Sequence, residues 1–70
     1  MEFKGRCHTR VISEKEPRTV IEFSINAESI SEAIAQAKDF IAFQIENSFV
    51  ARVVAKAELL IEGNWREISI

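Results

Sequence analysis

The amino-acid sequence predicts an α+β domain of order ββαββ. A four-stranded antiparallel sheet, in spatial order 2-1-3-4, carries one helix on one face. Three observations predict it. Side chains alternate apolar and polar over residues 3–13, 19–26 and 50–62, the period-2 pattern of half-buried strands. A helical apolar stripe lies between the second and third of these runs. Turn residues punctuate both ends: "SEKEPR" with the only proline, and Gly63-Asn64 near the C-terminus.

In the first run Phe3, Gly5, Cys7, Thr9 and Val11 share one face, and Lys4, Arg6, His8, Arg10 and Ile12 the other. In the second, Ile21, Phe23 and Ile25 point inward, and Val20, Glu22 and Ser24 outward. Pairing Ile12 with Val20 and Arg10 with Glu22 joins the two across a short loop at Lys15-Glu16-Pro17, flanked by Glu14 and Arg18. Ser29 followed by Glu32 reads as a capping box. It opens a helix over 30–48 with the stripe Ile30, Ala33, Ile34, Ala37, Ile41 and Ile45. Residues 50–62 place Ala51, Val53, Ala55, Ala57, Leu59 and Ile61 inward, and Arg52, Val54, Lys56, Glu58 and Leu60 outward. Gly63-Asn64 suits a two-residue type II′ turn. That turn pairs Glu62 with Trp65, Leu59 with Ile68 and Ala57 with Ile70. Placing strand 1 between strands 2 and 3 makes every neighbouring pair antiparallel.

Seventy residues make one domain, 1–70. A chain this short buries only about 60% of its unfolded surface, and a core of this size rarely supplies more than roughly 3–5 kcal/mol. One cysteine excludes an internal disulfide, and no Cys/His spacing fits a zinc site. Idealised packing or self-association has to supply the rest. No signal peptide or membrane span is legible, so the expected compartment is the cytoplasm.

The net charge is −2, unevenly spread. Residues 1–18 hold five Lys/Arg and three Glu, hence +2; residues 19–70 hold four Lys/Arg and eight Asp/Glu, hence −4. This is not the balance of a dedicated DNA-binding protein.

Candidate sites follow from the faces. In "KGRCHTR", Cys7 and His8 point to opposite sides of a strand, so they form no nucleophile–base pair. Cys7 reads as a small core residue. Lys4, Arg6, His8 and Arg10 form a row on the open face, with Arg52 and Lys56 expected beside them. Such a basic centre suits an acidic protein or a phosphate backbone. Ile12, Val20, Val54, Leu60 and Trp65 add apolar surface there, and Trp and Arg are favoured interface anchors. The open face lacks the central stacking rings of a sheet-based RNA reader. On the helix, Phe43 lies outside the buried stripe; it either packs under the chain near Phe49 or meets another molecule.

No phosphate-cradling glycine loop, metal cluster or nucleophile elbow is present. No cofactor is expected, and the chain reads as a non-enzyme. The segment "INAESISEAIAQAKDFI" resembles a strand-to-helix pattern of small phage and mobile-element proteins. The whole layout is similar to that of short phage inhibitors, anti-CRISPR proteins among them, and the likeness implies action by occupying a partner's surface. The predicted function is therefore a small protein-binding module, alone or as a homodimer. Its contact residues are Lys4, Arg6, His8, Arg10, Arg52, Lys56, Trp65 and Phe43. Nucleic-acid contact through the strand-1 row is the alternative.

Overall fold

The computed structural model describes residues 1–13, 15 and 19–70. Four antiparallel strands and one helix follow the order β1 (Glu2–Val11), β2 (Thr19–Asn26), α1 (Ile30–Glu46), β3 (Arg52–Ile61) and β4 (Asn64–Glu67). The sheet order is β2-β1-β3-β4, as the alternation and the antiparallel preference require.

Ser29 caps α1: its hydroxyl accepts from the Glu32 N–H at 3.1 Å. The Glu32 carboxylate reaches back to the N–H of Glu28 at 3.3 Å, a capping box displaced by one residue. Asn47 closes the helix, its side-chain amide donating to the Phe43 carbonyl at 2.8 Å. Ala33, Ala37 and Ile41 lie buried against Cys7, Ala57 and Leu59 of the sheet. The two alanines leave room for the helix backbone to approach. Ile34 and Ile45 pack at the margin of the core, and Ile30 is exposed.

The β1–β2 ladder differs from the expected register. Arg6 pairs with Glu22, His8 with Val20 and Thr9 with Thr19. Residue numbers sum to 28 rather than the 32 implied by pairing Ile12 with Val20 and Arg10 with Glu22. Facing residues keep their parity, so each side chain keeps its predicted side. Gly5 explains the choice: in this register it faces Phe23, and the Phe23 ring fills the space a β-carbon would occupy. Phe23 in turn stacks on Phe40 of α1, with ring centroids 4.8 Å apart. The loop expected at Lys15-Glu16-Pro17 with its Glu14 and Arg18 flank falls mainly on residues outside those described.

A one-residue bulge interrupts the β1–β3 ladder. His8 pairs with Lys56, but Thr9 pairs with Val54, leaving Ala55 as the extra residue. The alternation of β3 therefore reverses below Ala55. Val54 packs on the core instead of facing outward, and Ala55, expected inside, is exposed. Arg52 pairs with Val11, so it stands on the helix side.

The β3–β4 turn is also displaced. Glu62 (φ 52°) and Gly63 (φ 81°) are its central residues, and two positive φ values define a type I′ turn. The expected type II′ turn at Gly63-Asn64 does not form. The type I′ geometry matches the twist of the flanking strands, and Gly63 takes one of the two left-handed positions without steric cost. Trp65 pairs with Leu60 and Arg66 with Leu59, while the Ile68 N–H donates to the Ala57 carbonyl at 2.8 Å. This register moves by two residues, again an even number, so Trp65 stays on the open face and Ile68 enters the core.

Candidate functional site

The open face is the side of the sheet without the helix. Across its middle runs a row of four charged residues on four strands: Glu22, Arg6, Glu58 and Glu67. Arg6 stands between two carboxylates and engages Glu58, its Nε donating to Oε1 at 2.7 Å. The Lys56 ammonium lies 3.5 Å from the other carboxylate oxygen. The Arg6 guanidinium also stacks on the Trp65 indole, 3.9 Å above the ring centroid. Guanidinium planes favour both contacts, the first as a charge-assisted hydrogen bond and the second as a cation–π pair. Trp65 keeps 39% of its surface exposed.

Glu58 is the buried element of this cluster, only 6% exposed. The hydrogen bond from Arg6 holds its carboxyl below the ordinary glutamate range. Desolvation opposes that shift, and the charges of Arg6 and Lys56 reinforce it. A carboxylate kept ionised and doubly paired is a poor proton donor or acceptor near neutrality. Its chemistry is structural: it fixes the two cations that flank it.

A hollow of about 380 Å³ opens beside this cluster, lined by Lys4, Gly5, Glu22, Phe23, Ser24 and Trp65. His8 pairs across the strands with Val20 and Lys56. Arg10 pairs with Val53, and its guanidinium donates to the Ile12 carbonyl at 3.4 Å. Lys4, Arg6, His8, Arg10, Lys56 and Trp65 thus share the open face as predicted.

Arg52 does not join them. The bulge at Ala55 sends it to the other side, where Nε donates to the Ser48 hydroxyl at 3.1 Å and Nη1 to the Thr19 hydroxyl at 3.5 Å. It ties the chain leaving α1 to the start of β2. Phe43 is also remote, on the outer side of α1 and 61% exposed. Phe49 is fully exposed, so Phe43 is not covered in the way one of the two expectations required.

Cys7 is buried in the core, where burial raises its thiol pKa. It lies on the opposite side of β1 from Arg6, as the alternation demands. Among the described residues there is no cluster of three or more His, Cys, Asp or Glu able to hold a metal ion. Nor, among those residues, is any helix long and apolar enough to cross a membrane.

The sequence reasoning missed Glu58. The alternation places it only among the outward residues of 50–62, yet it is the buried carboxylate that pairs Arg6 and Lys56. The available signal was its place two residues from Lys56 and opposite Arg6. The Arg6–Trp65 contact spans two strand intervals and left no local trace. Comparison with known proteins finds no matching family model, no matching characterised protein and no matching solved structure.

Proposed function

We propose that this protein is a small non-enzymatic binding module that docks a protein partner on the open face of its sheet. The observation that carries this reading is the Trp65–Arg6–Glu58 stack. A half-exposed tryptophan and an arginine, the residue types favoured at interface hot spots, are held in place by a buried carboxylate. Side chains fixed before binding lose less conformational freedom on association. Val20 and Leu60 supply apolar surface on the same face, and Lys4, His8, Arg10 and Lys56 border it. The complementary partner presents an apolar patch rimmed by carboxylates. The architectural likeness to short phage inhibitors adds a mode of action, inhibition by occupying the partner's surface.

Nucleic-acid contact has less support. Arg6 is committed to Glu58, and Arg52 stands on the other side of the sheet. The basic row is therefore shorter and more neutralised than a phosphate-binding surface needs.

Affinity capture from the protein's own cells, with wild type and two variants, tests the reading. Trp65→Ala should lose the captured partner, and Phe43→Ala, on the outer side of the helix, should retain it. Retention by Trp65→Ala, or loss confined to Phe43→Ala, would place the contact elsewhere. Oligonucleotide binding that weakens steeply with salt and vanishes in Arg6→Glu/Arg10→Glu would favour the alternative.

A further inference from the structure

The two edges of the sheet are built differently. The β4 edge is four residues long and fully exposed, with Arg66 and Glu67 at its centre and end. Short, charged edge strands resist pairing with other chains. The β2 edge has neither protection. It runs eight residues, TVIEFSIN, in unbroken register on β1. It has a single charge, no proline, no lysine and no bulge.

The backbone groups it presents can be assigned. Met1 and Ala27 exchange both hydrogen bonds, the Met1 amine to the Ala27 carbonyl at 3.0 Å and the Ala27 N–H to the Met1 carbonyl at 2.9 Å. Bonded pairs alternate along an antiparallel ladder. Odd-numbered residues of β2 therefore point their N–H and C=O groups at β1. Val20, Glu22, Ser24 and Asn26 point theirs away from the sheet, and no described backbone group meets them.

We infer that β2 pairs antiparallel with β2 of a second copy about a twofold axis, joining four strands from each into one continuous sheet. Strand chemistry selects the register. Centring on Glu22 would set that carboxylate opposite itself, a destabilising like-charge pair. Centring on Phe23 places Glu22 opposite Ser24 of the second copy and Val20 opposite Asn26, and keeps residues 20–26 paired. Inward and outward faces still match, because even residues meet even residues. The protected β4 edges end the assembly at two copies, since an isologous contact consumes the only open edge among the described strands. A twofold perpendicular to the sheet leaves both helices on one side and both Trp65–Arg6 surfaces on the other.

The solution mass across a dilution series, with amide hydrogen exchange resolved by residue, tests this. The chain should be a dimer that dissociates on dilution. The N–H groups of Val20, Glu22, Ser24 and Asn26 should exchange slowly in the dimer and rapidly in the monomer. Ser24→Pro removes one outward donor from each copy while leaving the β1 ladder intact, as proline on an edge strand allows. It should raise the dimer dissociation constant roughly ten- to a hundredfold. If Ser24→Pro does not fold, exchange in the unaltered chain decides. A monomer at every concentration overturns the inference, as does a dimer unaffected by a folded Ser24→Pro. The same holds for a dimer whose four β2 amides exchange as fast as in dilution, or for a monomer that takes up a foreign strand on β2. None of these outcomes depends on Trp65, so this pairing and the open-face docking fail separately.

Discussion

The same strands present two faces that hold together by different means. On the covered face, Cys7, Ala57 and Leu59 meet Ala33, Ala37 and Ile41, and stability comes from water excluded from closely fitted apolar atoms. On the open face, Glu58 is nearly as buried as those residues, yet its carboxylate is held by a guanidinium and an ammonium, and the guanidinium in turn stacks on an indole ring. The first face is indifferent to pH over the range where carboxylates titrate. The second depends on one carboxylate staying ionised. The contrast shows how a sheet with one helix can keep its uncovered side ordered: charged and aromatic side chains build a thin second layer over a buried carboxylate.

Substitutions that act on one face and spare the other sharpen this comparison. Leu59→Ala should have the largest effect. Leu59 is fully buried at the centre of the covered face, so the lost transfer energy and the remaining cavity together should cost about 2–5 kcal/mol in denaturant unfolding. A loss under about 1 kcal/mol would mean that the helix does not seal this face. Gly5→Ala should come next, at about 1–3 kcal/mol, because its new β-carbon meets the Phe23 ring and forces it off Phe40. Pairing it with Phe23→Leu should recover part of the loss. A double variant no better than the sum of the singles would break the proposed link from Gly5 through Phe23 to α1.

How much of each face was legible follows from the same residues. The alternation of β1, the Ser29 cap and the alanines of α1 are local features, and each specifies its element. Registers were not legible to the residue. A slide by any even number of residues leaves every inward side chain inward, so alternation cannot distinguish the 28 and 32 sums in β1–β2, a slide of four. The fit of Phe23 over Gly5, a contact between strands, makes that choice. The bulge at Ala55 was hidden because Val53 and Val54 are adjacent and equally apolar, and the run alternates acceptably in either phase. Its consequence for Arg52 was therefore also hidden. On the open face the row from Lys4 to Arg10, with Lys56 and Trp65, could be placed from the period alone. The role of Glu58 could not, since its partner Arg6 also reaches a ring two strands away.

Arg6→Met should have the smallest effect at neutral pH, and its pH dependence makes it the most specific probe of the open face. Methionine keeps an apolar stem beside Trp65 but removes the hydrogen bond that most lowers the Glu58 pKa. A carboxyl whose pKa is depressed on folding contributes stability above its unfolded value, about 4.3 for glutamate. That contribution is lost as pH falls through the depressed folded value. Wild type should therefore be more stable than Arg6→Met at pH 7, and the difference in thermal midpoint should shrink steadily as the pH drops below about 4. Leu59→Ala should show no such convergence with wild type. If the Arg6→Met difference is as large in acid as at neutrality, Arg6 acts by packing on Trp65, and the open face is held by the same means as the covered one.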